Sequence, residues 1–167
     1  MLIREADKDD LPAVLVIHNT NIAESTAIWD TDEVDLDDRL TWFADRAAAD
    51  MPILIAEIDG EVAGYASYGR WRPKSGYRFT VENSVYVDSR FQRRGVATAL
   101  LTALIERAAE SGRVHVMVAA IESGNTGSIT LHERFGFHTV GELPEVGHKF
   151  GRWMDLTLMQ RVFPLEP

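Results

Sequence analysis

The sequence predicts an α+β fold built on one mixed, largely antiparallel central sheet with flanking helices, and three observations carry that expectation. Two strand-like runs, Ile53–Ile58 and Glu61–Tyr68, are joined by Asp59-Gly60, the strongest short-range hairpin signal, so part of the sheet is antiparallel. The run Val114–Ile121 is continuously apolar, as expected for a central strand covered on both faces. Helical patterns stand among the strands without strict alternation. Residues 1–167 fit one domain, a length that a single core can serve.

Taken in order, Leu2–Glu5 alternates apolar and charged residues as a short strand, and Asp7 to Asp10 supply capping carboxylates before Leu11-Pro12. Leu11, Val14, Leu15 and His18 follow at helical spacing, and Asn19–Trp29 is of mixed polarity. A second helix starts at Asp35, where Leu36, Leu40, Phe43 and Ala47 form an apolar stripe that reads as core packing. After the hairpin, Arg78–Val87 predicts a strand and Val96–Ser111 a helix ended by Gly112. Asn125–Phe135 predicts a short helix closed by Gly136, and Phe137–Glu142 and Trp153–Val162 predict the last strands, with a glycine-bearing loop between them.

Hydrophobic content of 46% and charged content of 26% are ordinary for a soluble globular protein. The chain has no cysteine, which excludes disulfides, thiolate nucleophiles and thiolate metal sites. A formal charge of −9 argues against nucleic acid and anionic membrane as partners. The acidic N-terminal stretch has no signal-peptide core, and no run reaches the roughly 18 apolar residues of a membrane span. The cytoplasm is therefore the expected location. The five histidines show no metal-ligand spacing, so no metal is expected.

The stretch that carries chemistry is Glu82–Ala97. A strand is followed by a polar turn, then by Gln92-Arg93-Arg94-Gly95-Val96-Ala97, which opens straight into a helix. Backbone N–H groups, a helix N-terminus and two arginines meet at one point, an arrangement suited to phosphate or pyrophosphate. Gly95 allows close backbone approach and Ala97 keeps the first helical turn clear of bulk. An ordinary strand-to-helix connection with surface arginines is the plainer alternative. No G-x-G-x-x-G or G-x-x-x-x-G-K-[ST] fingerprint is present. Glu82 lies in an otherwise apolar strand, where partial burial would raise its pKa, unless it sits at an edge facing water. Upstream, Arg70, Arg72, Lys74 and Arg78 crowd into nine positions, and Gly69–Val81 contains no acid. That segment is either a solvated loop or the cationic wall of a pocket.

The pattern Q-x-x-G-x-A after a strand and before a helix resembles the acyl-CoA pyrophosphate loop of the GNAT acyltransferase superfamily. Arg78-Phe79-Thr80-Val81-Glu82, Ser84–Val87, His115–Asn125, Leu131-His132, Phe135-Gly136-Phe137 and Lys149–Trp153 are similar to its phosphinothricin N-acetyltransferase and methionine sulfone/sulfoximine acetyltransferase branch. The resemblance spans essentially the whole chain. It implies the GNAT sheet, splayed between the strand ending at Val87 and the strand Val114–Ile121, with acetyl-CoA in the splay. It also implies a substrate-facing helix or loop at Asn19–Trp29, a homodimer, and a small amino-acid-like acceptor such as phosphinothricin, methionine sulfone or methionine sulfoximine.

On this resemblance Glu82 is the general base, and His132 stands where the thiolate is protonated, with water as the other proton source. The cofactor-binding residues are Val85, Tyr86 and Val87 along the strand, Arg93, Arg94, Gly95, Val96, Ala97 and Thr98 around the pyrophosphate, and Asn125, which is also a plausible helix N-cap by residue type. Arg72, Pro73 and Lys74 on one side and Glu82, Asn83 and Ser84 on the other line the acceptor pocket. Two rivals stand beside this reading. A protein N-terminus or polyamine acceptor would favour an acidic pocket, which the basic segment opposes. A non-catalytic acyl-CoA-binding module would have no use for Glu82 and His132.

Overall fold

The structure, a computed structural model, describes residues 1–164. Its seven strands form one sheet in the order β1-β2-β3-β4-β5-β7-β6. These are β1 (Leu2–Glu5), β2 (Ile53–Ile58), β3 (Glu61–Arg70), β4 (Thr80–Val87), β5 (Val116–Glu122), β6 (His138–Lys149) and β7 (Arg152–Val162). Every neighbouring pair is antiparallel except β4 with β5. The helices are α1 (Leu11–Glu24), α2 (Leu36–Ala48), α3 (Val96–Glu110) and α4 (Thr126–Arg134). The mixed α+β class follows as expected.

Local chemistry explains the joints. At the β2–β3 turn Asp59 and Gly60 have φ of 53° and 82°, the double left-handed geometry that a D-G hairpin needs. Alternation along the strands builds two cores. Leu54, Ala56, Ala66 and Tyr68 pack with Leu100, Leu101 and Leu104 of α3, whereas Ile55 and Tyr65 pack with Val14 and Ile17 of α1. Each fully buried leucine contributes about 1.5–3 kcal/mol of burial free energy, so α3 anchors the sheet on one face while α1 anchors the other.

Four expectations are corrected. The α2 stripe is not core: Leu36 is 40% exposed, Leu40 and Phe43 are half-buried, Ala47 is exposed, and the buried residue of α2 is Arg39. Periodicity reports an apolar face but not what covers it. The strand expected from Arg78 starts at Thr80, because Ser75–Tyr77 forms a 3-10 turn with Arg78 as its C-cap. The loop expected between the last strands is instead a long hairpin. β6 runs to Lys149, with register shifts at Thr139/Gly141 and Leu143/Gly147, and turns at Phe150-Gly151 with both φ positive. Finally, β5 is buried on both faces at Met117, Val118 and Ala119 but not at Ala120. Among the described residues no helix is long and apolar enough to cross a membrane.

Candidate active site

The sheet opens where β4 and β5 part. They pair only through Thr80, Val81 and Glu82, opposite Val116, Met117 and Val118. Beyond that, β4 continues to Val87 with β3 alone on its flank. The amide of Asp88 donates to Ala63 and the carbonyl of Thr80 accepts from Trp71, so even-numbered backbone groups of β4 face β3. Alternation then turns the amides of Asn83, Val85 and Val87 toward the gap, where β5 no longer meets them. The Tyr86 backbone faces β3, and its ring, which also lines the cavity between the parted strands, packs between Tyr65 (5.2 Å) and His18 (6.2 Å) on the α1 side.

A cavity of about 510 Å³ fills the splay. Side-chain alternation divides its walls between the sheet's two faces. Glu82, Ser84 and Tyr86 reach it from the α1 side, roofed by Ala27, Ile28 and Trp29, while Asn83, Val85, Ala97, Asn125 and His132 reach it from the α3–α4 side. Glu82 is half-buried, and burial raises its pKa above the usual carboxylate range, against a smaller opposing pull from Arg72. This is the balance that suits a general base working near neutrality.

His132 is 4% exposed, with its ring edge-on to Phe137 at 5.0 Å. Nδ1 lies 2.8 Å from the Ser128 carbonyl, which only accepts, so Nδ1 carries a proton. Burial lowers the pKa of the ring, outweighing that bond, and keeps the imidazole neutral, so Nε2 is a lone-pair acceptor. Nε2 is 3.2 Å from Asn83 Oδ1, while Asn83 Nδ2 is buried without a partner. Two acceptors cannot bond to each other, so the amide is read with its oxygen and nitrogen exchanged, Nδ2 then donating to Nε2. Asn83 is thus committed to His132 on the face opposite Glu82, a different place from the acceptor side expected of it.

The anion loop has the local geometry its composition predicts. Arg93 and Gly95 have φ of 59° and 81°, and Gly95 begins α3 with no side-chain cap. The first-turn amides of Val96, Ala97 and Thr98 lie ahead of any intrahelical partner. A Cβ on Gly95 would project into open space. Arg93 and Arg94 form no ion pair among the described residues, whereas nearby Arg90 pairs with Glu61 and Asp88. The Val96 side chain is core, so only its backbone is available to a ligand. Asn125 caps α4, its Oδ1 accepting from Ser128, and it also borders the cavity.

Arg72, Pro73 and Lys74 are exposed, and the cavity wall is built without them. Arg72 follows the end of β3, where Arg70 pairs with Val81, and its guanidinium lies 4.8 Å from the Trp71 ring centre. The roof, Ala27 to Trp29, lies in the Asn19–Trp29 stretch where the resemblance implies a substrate-facing helix or loop, whereas its supports on the β6–β7 hairpin carried no sequence signal. The described residues contain no group of three or more histidines or carboxylates able to hold a metal.

Residues 15–137 match the family model for the Acetyltransferase (GNAT) family. The chain is 55% identical over 159 residues to the L-methionine sulfoximine/L-methionine sulfone acetyltransferase of Pseudomonas aeruginosa, covering 95% of this chain and 92% of that one. It superposes on a ribosomal-protein-alanine N-acetyltransferase from Brucella melitensis with a TM-score of 0.96 and 47% identity, over 98% of this chain and 100% of that one. A phosphinothricin acetyltransferase from Sinorhizobium meliloti, solved in complex with acetyl-CoA, aligns with a TM-score of 0.94 and 29% identity, over 97% and 88% of the two chains. With the splayed sheet, the anion loop and these matches, the chain belongs to the GNAT acetyltransferase family.

Proposed function

We propose that the protein transfers an acetyl group from acetyl-CoA to the α-amine of a small amino-acid-like acceptor, of the methionine sulfone, methionine sulfoximine or phosphinothricin type. The observation that carries this reading is the splay, which sets a half-buried carboxylate and unpaired backbone donors on one cavity. The residues fit the cofactor: the open N-terminus of α3 and the unpaired Arg93 and Arg94 suit a pyrophosphate, and the free β4 edge suits an amide-bearing arm. Bound acetyl-CoA supplies an acyl group activated as a thioester.

Glu82 takes the proton from the acceptor's ammonium, directly or through one water, and frees the nitrogen lone pair for the carbonyl carbon. The N–C bond forms as the C–S bond breaks, in a ternary complex and without an acyl-enzyme. The Val85 amide donates to the carbonyl oxygen as negative charge develops there, and that of Val87, two residues along the same edge, meets the amide-bearing arm. His132 has no proton on Nε2 to give, and burial opposes charging it, so water is the better source for the departing sulfur. The ring and Asn83 then shape the thiol side of the cavity. On the other face Arg72 and Lys74 draw the acceptor's carboxylate.

A thiol-release assay with acetyl-CoA and a panel of amines tests the reading. Methionine sulfone or its analogues should be the best acceptors. Preference for spermidine or an alanine-starting peptide would replace it, and no turnover with any amine would leave a binding module. For the cofactor loop, Gly95→Val imposes a left-handed φ on a β-branched residue and fills the open approach. Calorimetry should show CoA binding weakened about tenfold or more, and unchanged binding would remove the loop from cofactor recognition.

The reading extends to a homodimer working in the cytoplasm, where acyl-CoA is formed. Its support is exposed apolar surface: Leu36 on α2, with Val140, Val146, Phe150, Trp153 and Val162 on the β6–β7 hairpin, the last five each at least 49% exposed. Light scattering should give twice the 18.7 kDa chain mass. Trp153→Asp should shift the population toward monomer, and a monomeric wild type would refute the dimer.

A further inference from the structure

The cavity roof on the Glu82 side is fastened from a distant part of the chain. Lys149, the last residue of β6, is 4% exposed, and its ammonium donates to the backbone carbonyls of Ser25 at 2.9 Å and Ile28 at 2.5 Å. A buried ammonium is costly unless its donors are satisfied. Here two are, by carbonyls of one short loop, and no carboxylate pairs with the nitrogen among the described residues. Burial draws its pKa below the usual lysine range, with Asp30 pulling weakly the other way.

Three further contacts hold the same loop. Trp29 sits against Gly147, so closely that a Cβ there would come within 2.3 Å of the indole ring. Its Nε1 donates to the Thr26 carbonyl at 3.0 Å, folding the loop on itself. Thr26 also donates to Glu122 at 3.3 Å, and Arg152 of β7 stands 3.7 Å from the same carboxylate. The residues so fixed, Ala27, Ile28 and Trp29, face the cavity.

The geometry points to Lys149 as a positioning residue for the acceptor: its ammonium, with Gly147 beneath Trp29, holds the 25–29 loop in the shape that closes the Glu82 side of the cavity. This rests on the acetyltransferase reading above and adds to it the element that sets acceptor fit. Lys149 touches neither substrate. It acts through the backbone of Ser25 and Ile28, and among the described residues no hydrogen bond or ion pair ties it to the anion loop on the other face.

The test compares Lys149→Met, which keeps length and removes the donors, with Gly147→Ala, which unseats Trp29 and keeps the lysine. With L-methionine sulfone as acceptor, both should raise its KM about tenfold or more, the scale of one lost charge-assisted hydrogen bond, and leave the acetyl-CoA KM nearly alone. Lys149→Arg, which keeps a cationic donor, should recover part of the loss. Hydrogen exchange on the substrate-free protein should quicken at residues 25–31 in both variants and little elsewhere. An unchanged acceptor KM, or acceptor and acetyl-CoA KM rising together, overturns the inference. So does unaltered exchange at 25–31, which reads the loop whether or not methionine sulfone is turned over. A wild-type protein that acetylates no amino acid sinks the acceptor reading instead.

Discussion

Glu82→Gln is expected to lower turnover about 100-fold or more, the usual scale for a positioned acid–base group, with acetyl-CoA affinity almost unchanged. The substitution keeps shape and removes only the ability to accept a proton. The pH profile gives an independent check. Glu82 works deprotonated and its pKa is raised by burial, so kcat/KM should fall as pH drops through a value above the ordinary glutamate pKa of about 4.3. Arg72 opposes the shift. Arg72→Ala should therefore move the acid limb to still higher pH, and Glu82→Gln should abolish it. A glutamine variant with near-normal rate at pH 7 would remove Glu82 from the mechanism.

Arg72→Ala should also raise the acceptor's KM by about 10- to 100-fold, from a charge-assisted contact of roughly 1.5–3 kcal/mol at tenfold per 1.4 kcal/mol. The KM for acetyl-CoA should hardly move. Amidating the acceptor's carboxylate should reproduce the loss in the wild type and add little in the variant. Equal reaction of amide and free acid with the wild type would dismiss the carboxylate pocket and favour a cationic acceptor. Arg72 is exposed and stacked on Trp71, free to swing toward a ligand, so a cost confined to acceptor binding is the outcome its position supports.

Features demanded by local backbone geometry were legible in the sequence. Asp59-Gly60 and Gly95 stand where φ is positive, and Asn125 stands where a helix needs a cap. The place of Glu82 on the cavity wall was legible because a lone carboxylate in an apolar strand is costly to bury. A substrate-facing stretch at Asn19–Trp29 came with the resemblance, but its fastening did not, because it joins residues 121 and 124 apart in the chain. The α2 stripe misled for a related reason, since an apolar face predicts burial without naming the partner. The start of β6, to Glu142, was legible, but its extension to Lys149 was hidden by irregularity, because the register shift between Leu143 and Gly147 breaks the alternation that marks a strand. Tyr86 and Asn83 were placed on the right strand, but the face each side chain takes depends on which neighbour the backbone pairs with.

Because β4 carries Glu82 and Asn83 as consecutive residues, the function proposed above makes one step along the chain pass from the acceptor's side of the sheet to the thiol's side. On that proposal the sheet works as a bulkhead with a single hatch, each reactant docking from its own compartment. Acceptor preference can drift through Ala27–Trp29 and the Arg70–Arg78 segment without disturbing the cofactor berth around Gly95. An insertion of one residue within β4 has no such latitude, for it would carry the base through the bulkhead to the wrong side.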